Sequence, residues 1–272
     1  MRIPILMYHM VNDQPQPADA RFCCRVGAFR RQMEHLRQSG YQVIRLDDVL
    51  ALEADMAMPG QKPVAVTFDD GYLDNYENAL PILAEFGFPS TLFVVTDCVG
   101  GENTWMQGNG SRPRKLMSWR HLQKLPSLQC SVGSHTRTHI DLAEAKPDSA
   151  WAEIEDSKKR LEDRLGRPVA HFAYPYGRFS QDSPDMVKQS GYQSACSTRS
   201  GFNTPGTDPF VLHRIEVYGS DSLFNFRMKL LLGTNDGSLQ SVLAYYWSRV
   251  LSRVGERGKG RRGEGETERG GD

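Results

Sequence analysis

The chain has 272 residues, and its 33 Lys and Arg residues balance 33 Asp and Glu residues, so the formal net charge is zero. A hydrophobic content of 39% excludes a wholly disordered chain. The balanced charge argues against a general nucleic-acid-binding protein, which needs surplus cations to neutralise phosphates. The length suits one large α/β domain, because barrels of this class run to roughly 200–250 residues.

Short apolar, β-branched runs alternate with helical patterns along residues 1–217. This alternation is typical of a parallel sheet or barrel that is covered by helices. The predicted strands are residues 3–10, 41–46, 64–68, 90–95, 129–132, 169–174, 194–198 and 211–217. The predicted helices between them are residues 26–39, 74–86, 118–125, 148–165 and 183–190.

The pattern changes after residue 217, where two helices are predicted over 221–232 and 238–252 without a strand between them. We expect the apolar face of the second helix to pack on the barrel; the alternative is a surface that docks a partner or a membrane. Residues 255–272 contain no apolar side chain and are expected to be disordered. The predicted organisation is a domain over 1–219, a helical extension over 220–254 and a tail over 255–272.

The start of the chain does not resemble a secretory signal, because its apolar run is interrupted at His9 and no small-residue cleavage site follows. No apolar run approaches the ~20 residues of a membrane-spanning helix. The five cysteines are odd in number and include no CxxC pair. These features predict a cytoplasmic protein with reduced thiols.

The sharpest chemical signal is the apolar run 64–68, which ends in two carboxylates, Asp69 and Asp70. Such a run is typical of a buried parallel strand, and α/β enzymes place catalysis at the carboxyl ends of these strands. Adjacent strand residues point to opposite faces. Both carboxylates therefore reach one site only if the strand ends there and Gly71 lets the backbone turn. Alone, an Asp-Asp-Gly sequence is more often a turn or a helix start.

Two further segments follow predicted strands. His135 and His139 are four residues apart, so one helical turn would place both imidazoles on one side. Together with Asp69 or Asp70 they would form a metal site with open positions for water or substrate. The segment 174–177, with the sequence YPYG, is compatible with a rigid loop whose N–H faces a developing oxyanion, although alone it is better explained by a plain turn.

These segments resemble, in order, three motifs of the polysaccharide deacetylase family, also called the NodB-homology or carbohydrate esterase family 4 domain. The matching residues are TFDDG at 67–71, HTRTH at 135–139 and YPYG at 174–177. The resemblance spans roughly residues 1–217 and implies a distorted (β/α) barrel of about seven parallel strands. It also implies a hydrolase that removes acetyl groups from N-acetylated sugars with a divalent metal. That metal would be zinc foremost, with cobalt, nickel, manganese or iron as alternatives.

Carried over by position, the resemblance implies that Asp69 is the general base. It implies that Asp70, His135 and His139 hold the metal. The backbone N–H of Tyr176 would help to stabilise the oxyanion.

The third motif departs from the family pattern. An Arg usually lies two residues before Pro175 and supports the catalytic Asp, but Ala173 stands there. Arg214 is the residue that we expect to supply this support.

The general acid has two candidates. Many family members carry a His near the end of the domain, and His213 occupies roughly that region. One branch, which acts on poly-N-acetylglucosamine exopolysaccharide, instead has an N-terminal Tyr-His motif, and Tyr8-His9 is similar to it. We predict that His9 is the acid, because it stands at the end of an apolar strand, where packing gives no reason for an imidazole.

Trp105, in a Gly-rich loop, and Trp119, at a helix start, are candidate substrate contacts. The predicted substrate is an N-acetylated glycan or its precursor in exopolysaccharide or cell-envelope metabolism. Nucleic acid is not expected as a partner, whereas the C-terminal helices could bind a peripheral one. The alternatives are a hydrolase of a non-sugar amide or imide with the same metal chemistry, a non-catalytic glycan-binding module, or an interaction protein built around the C-terminal helices.

Overall fold

The computed structural model describes residues 2–51, 60, 62–106, 112–126, 129–238 and 240. Parallel strands form a curled sheet with helices on its outer face. The strands are β1 (Ile5–Tyr8), β2 (Met10–Val11), β3 (Cys23–Cys24), β4 (Tyr41–Ile44), β5 (Lys62–Phe68), β6 (Ser90–Val94), β7 (Cys130–Ser134), β8 (His171–Ala173), β9 (Ser194–Cys196) and β10 (Ile215–Glu216).

Six helices of the described residues lie between these strands, and one follows the last strand. They are α1 (Val26–Gln38), α2 (Leu46–Ala51), α3 (Leu80–Phe86), α4 (Trp119–Gln123), α5 (Pro147–Leu165), α6 (Ser183–Gln189) and α7 (Leu223–Leu232). A π-helical turn, Asn75–Ala79, leads directly into α3. The predicted helices up to residue 232 are confirmed. The helix predicted over 238–252, apart from Ser238 and Gln240, and the tail over 255–272 lie outside the described residues.

Seven strands follow one another in the order β10-β1-β5-β6-β7-β8-β9, and β4 pairs with the first half of β5 as an eighth. Every neighbouring pair is parallel. Beyond β9, the Leu212 N–H donates to the Ala195 carbonyl, and the Ser197 N–H donates to the Leu212 carbonyl. The chain leading into β10 therefore joins the two edges of the sheet, which confirms the distorted (β/α) barrel.

Three short elements were not predicted as separate elements, although Met10 of β2 lies within the strand predicted over 3–10. β2 and β3 pair with each other in a small separate sheet, and α2 is a single six-residue helix. Their shortness is the reason, because two residues cannot display strand alternation and six cannot display a helical period. The five cysteines, all in the described part of the chain, are free thiols.

Side-chain alternation along the strands places the functional groups. In β1 and β5, Leu6, Val66 and Phe68 belong to the core under the helices, whereas Ile5 and Ala65 belong to the core inside the barrel. The inward-facing series continues past the ends of these strands to His9 and Asp69. At the carboxyl ends of parallel strands, this series reaches the rim where α/β barrels carry their active sites.

The helix α7 makes extensive contact with the barrel domain. The Lys229 ammonium is buried and donates to the Glu216 carbonyl at the end of β10, at 2.9 Å. The Phe226 ring packs edge-on against His35 of α1, with centroids 6.3 Å apart. Residues on both sides of position 219 are therefore in contact. Among the described residues, no helix has the length and hydropathy needed to cross a bilayer.

Candidate active site

A cleft of about 390 Å³ opens at the carboxyl ends of the strands. Its walls combine ionisable groups with aromatic side chains. Seven residues singled out from the sequence line it: His9, Asp69, Asp70, Trp105, His135, His139 and Tyr176.

The two consecutive carboxylates enter the same cleft because the backbone reverses directly after β5. Asp70 has a φ of +73°, and Gly71 has a φ of +78°. The left-handed conformation is unfavourable for a residue with a Cβ, and glycine supplies it at little cost. The turn that the sequence required for a shared site is therefore present, and it begins one residue earlier than Gly71.

Asp70 and the two histidines form a compact buried cluster. Oδ1 of Asp70 lies 3.5 Å from Nε2 of His135 and 3.3 Å from Nε2 of His139. One potential ligand atom from each residue lies within 4.8 Å of the other two. The Nδ1 atom of His135 lies 2.7 Å from the Ala173 carbonyl, to which it donates. That bond fixes the tautomer and leaves Nε2 free to bind a metal.

These residues fit a divalent transition metal. Oδ1 of Asp70 is buried and has no hydrogen-bond partner in the described part of the chain. Burial lowers the pKa of His135 to about 4, so that this imidazole is neutral, as a metal ligand must be. Two imidazoles and one carboxylate form a donor set that suits zinc and other first-row metals and leaves positions open.

The loop that carries the histidines brings both imidazoles together without the helical turn considered from their spacing. Residues 135–139 do not form a helical turn; Thr136 and His139 adopt left-handed φ values, both +65°. Glu153 of α5 holds this loop from behind. Its carboxylate accepts hydrogen bonds from the Arg137 N–H at 2.8 Å, the Thr138 N–H at 2.9 Å and the Thr138 hydroxyl at 2.8 Å.

Asp69 is held by a buried ion pair on the inner side of the barrel. The Arg214 guanidinium, which is 0% exposed, donates to both carboxylate oxygens of Asp69, at 2.6 Å and 2.7 Å. Its Nε donates to the Ser197 carbonyl at 2.9 Å. Burial alone would raise the pKa of Asp69, but the charge and hydrogen bonds of Arg214, together with the nearby His135 and His9, hold the pKa below its ordinary value. The carboxylate is therefore ionised and oriented at neutral pH.

The two candidate acids occupy different places. His9 lies between β1 and β2 and lines the cleft. His213 is not part of the cleft lining; its Nδ1 lies 3.3 Å from the Ser200 carbonyl. The structure thus brings His9, and not His213, to the cleft that contains Asp70, His135 and His139.

The segment 174–177 forms a tight turn at the rim. Pro175 begins a 3-10 turn, and Tyr176 has a left-handed φ of +59°. Gly177 is also left-handed, and a Cβ at this position would overlap the Thr198 side chain. The Tyr176 ring packs edge-on against His139, with centroids 4.6 Å apart.

Strained backbone is concentrated at this site. Among the described residues, the non-glycine positions with positive φ are Asp70, Thr136, His139 and Tyr176. Each conformation costs free energy that the surrounding fold must offset, and such residues cluster where function requires a particular geometry. Here they orient two proposed metal ligands, the loop between the histidines and the turn of the third motif.

The two tryptophans have different surroundings. The Trp105 ring stacks on His139 with centroids 4.4 Å apart and an interplanar angle of 20°, and it forms part of the cleft wall. Trp119 lies outside the cleft lining, where Arg164 covers its ring at 5.6 Å. It follows Ser118, which caps α4 through a capping box with His121. The position of Trp119 is thus explained by helix capping and packing rather than by contact with the cleft.

Sequence reasoning missed several residues that shape the site. Arg21, Phe22 and Glu216 line the cleft, and Glu153 supports the histidine loop. Each is distant in sequence from the motifs, and none belongs to a short pattern that could have identified it.

Comparison with known proteins agrees with this geometry. The family model for polysaccharide deacetylase matches residues 57–195. YxkH of Bacillus subtilis, named for polysaccharide deacetylase activity, is 26% identical over 216 residues, covering 79% of this chain and 71% of its own. A poly-β-1,6-N-acetyl-D-glucosamine N-deacetylase of Staphylococcus aureus is 25% identical over 207 residues, covering 74% and 69%.

The solved structure of the Streptococcus pyogenes deacetylase PplD in complex with acetate is also similar. It has a TM-score of 0.70 and 27% identity, and the match covers 82% of this chain and 95% of that one. The fold, the three ordered motifs and the family match agree, and the chain belongs to the polysaccharide deacetylase family, whose members are hydrolases of amide bonds.

Proposed function

We propose that this protein is a metal-dependent deacetylase that hydrolyses the N-acetyl group of an N-acetylhexosamine-containing glycan or glycan precursor, in exopolysaccharide or cell-envelope metabolism. One observation carries the proposal. A buried Asp70, His135 and His139 cluster lies in the same cleft as a carboxylate, Asp69, that Arg214 holds ionised.

Asp70, His135 and His139 would hold the metal, for which zinc is the first choice. When bound, a divalent ion at such a site polarises an amide carbonyl and lowers the pKa of a water ligand, to about 7 in favourable zinc sites. Asp69 does not belong to this cluster, because both of its oxygens accept hydrogen bonds from Arg214.

The remaining steps belong to the protein's own groups. A carboxylate oxygen of Asp69 accepts a proton from the attacking water as the new C–O bond forms. The Tyr176 N–H donates to the carbonyl oxygen as negative charge develops there. His9 donates a proton to the sugar nitrogen while the C–N bond breaks, because an amide nitrogen leaves poorly as an anion. Acetate and the free amino sugar result.

The substrate proposal rests on the relatives and on the shape of the cleft. The Staphylococcus aureus relatives are named for poly-β-1,6-N-acetyl-D-glucosamine. The Trp105 ring and the Phe22 ring lie in the cleft wall, where flat apolar surfaces suit the faces of a sugar ring.

Mutation can distinguish the proposed metal ligand Asp70 from the proposed general base Asp69. We expect acetate release from N-acetylglucosamine oligomers by the zinc-loaded protein, lost on chelation and restored by zinc. Asp70→Ala should lose zinc and turnover together. Asp69→Asn should retain zinc, since it is not a ligand, and lose roughly 10²–10⁴-fold in kcat because the general base is gone.

Acetate release is measured by a coupled assay, and zinc content by elemental analysis of the folded variants. Full activity of Asp69→Asn would contradict the base assignment. Hydrolysis of cyclic ureides, with no acetate released from any glycan, would show instead that the protein hydrolyses a non-sugar amide or imide.

The general acid is tested by comparing two histidine variants. His9→Ala should reduce kcat roughly 10²–10⁴-fold while zinc content is unchanged, because the leaving amine is no longer protonated. His213→Ala serves as the matched control and should retain most of its activity. The reverse outcome, in folded and metal-loaded proteins, would assign the acid to His213.

Glu153 should control metal affinity without touching the metal. Glu153→Gln puts an NH₂ group where a loop donor needs an acceptor, so the histidine loop is held less firmly. We expect zinc affinity to fall about 10–100-fold, as is common for groups that orient metal ligands. Competition with a chromophoric chelator measures this. Glu155→Gln, a change at a partly exposed ion pair with Lys159 on the same helix, should bind zinc like the wild type; equal affinities for all three proteins would rule out this role of Glu153.

A further inference from the structure

Side chains from one short turn hold the segment that carries His9. The Asn75 Nδ2 donates to the His9 carbonyl at 2.7 Å, and the Asn78 Nδ2 donates to the Val11 carbonyl at 2.8 Å. The Val11 N–H in turn donates to Oδ1 of Asp74 at 3.4 Å. These bonds fix the backbone on both sides of Met10, directly after the imidazole.

The turn lies close to Asp69 and Asp70 in sequence. The π-helical turn Asn75–Ala79 begins four residues after Gly71, where the chain has just left the cleft. Single π-helical turns are rare and frequently occur at functional sites. Through this turn, the segment that places Asp69 and Asp70 is also bonded to the segment that places His9.

The His9 ring itself has few polar contacts. Its Nδ1 is buried and has no hydrogen-bond partner within the described residues. The Phe22 ring packs against it with centroids 4.9 Å apart. A functional imidazole is commonly oriented by a hydrogen bond at its second nitrogen. Here the bond from the Asn75 side chain to the carbonyl of the same residue holds the backbone that carries the ring.

Stability alone does not account for Asn75. Its side chain is fully buried, and its Oδ1 meets no hydrogen-bond donor in the part of the chain that the structure describes. A buried polar atom without a partner destabilises a fold. The orientation of the amide is fixed, because a carbonyl oxygen can only accept and Nδ2 must therefore face His9.

We propose that Asn75 is a positioning residue for proton transfer: by holding the His9 carbonyl, it sets the place of the imidazole relative to Asp69 and Asp70. This inference rests on the proposed role of His9 as the general acid. It predicts a defect in leaving-group protonation, distinct from a defect in metal binding or in water activation.

The test uses two acetyl substrates with the full-length, zinc-loaded protein. An N-acetylglucosamine oligomer releases an amine, which needs a proton, whereas 4-nitrophenyl acetate releases a phenolate, which does not. Asn75→Leu keeps the side-chain volume and removes the donor. The measured quantity is the chelator-sensitive rate on the amide divided by the chelator-sensitive rate on the ester. We expect this amide-to-ester ratio to fall about tenfold or more in Asn75→Leu, because a displaced acid transfers its proton poorly. His9→Ala should lower the same ratio. Zinc content should be unchanged.

Two controls separate positioning from simple loss of structure. Asn203→Leu removes a buried asparagine that bonds the Ile3 and His213 carbonyls near the start of β1, at 3.2 Å and 2.9 Å. It should lower the unfolding temperature and keep the wild-type ratio. In the His9→Ala background, Asn75→Leu should produce no further change in the ratio, since both act through one group.

The outcomes are distinct. A wild-type ratio in Asn75→Leu, or the same fall in Asn203→Leu, overturns the role of Asn75. If Asn75→Leu does not fold, Asn75→Asp is measured in the same way and judged by the same ratio. If the wild-type protein releases acetate from neither substrate in a chelator-sensitive manner, the proposed function fails, and the inference fails with it.

Discussion

The ion pair between Arg214 and Asp69 is the interaction on which the site depends. A carboxylate that is 2% exposed would take up a proton or destabilise the fold if it had no partner. Arg214 supplies a planar, permanently charged group that donates to both oxygens. It also lies 5.6 Å from the Phe93 ring, inside the barrel. The pair keeps Asp69 ionised and aimed at the cleft, and it links β10 to β5 across the β1 strand.

The different roles proposed for Asp69 and Asp70 follow from the ion pair between Arg214 and Asp69. Asp69 has both oxygens bonded to a cation, so it remains a base of fixed orientation. Asp70 turns away through its left-handed backbone and faces two imidazoles instead. The local conformation of one residue thus gives adjacent identical side chains two different environments. Long-range hydrogen bonds to Glu153 and from Asn75 hold the histidine loop and the His9 segment on the other sides of the cleft.

The sequence predicted those parts of the molecule that depend on short-range patterns. A few neighbouring residues are enough to recognise the strand runs, the helix periods, the Asp69-Asp70 pair and the spacing of His135 and His139. The imidazoles of His135 and His139 come together without a helical turn, because left-handed residues and Glu153 determine that loop. Neither a helix period nor a strand alternation contains this information.

Long-range partners were harder to predict. Arg214 was expected to support Asp69 only because Ala173 lacks the guanidinium of the family pattern, and its position follows from closure of the barrel. Glu153 and Asn75 were missed, because their carbonyl and N–H partners are backbone groups that no side-chain motif records. Trp119 resembled a substrate contact in sequence, and helix packing explains its place in the structure.

The most direct measurement is the free energy of unfolding in urea for Arg214→Met, with and without Asp69→Asn. If Arg214 keeps a buried carboxylate ionised, Arg214→Met should lose about 3–5 kcal/mol, because it leaves an unpaired buried charge. Adding Asp69→Asn should restore a large part of that loss, although the double variant remains inactive. Equal stabilities of the single and double variants, or a fully active Arg214→Met protein, would contradict the central role of this pair.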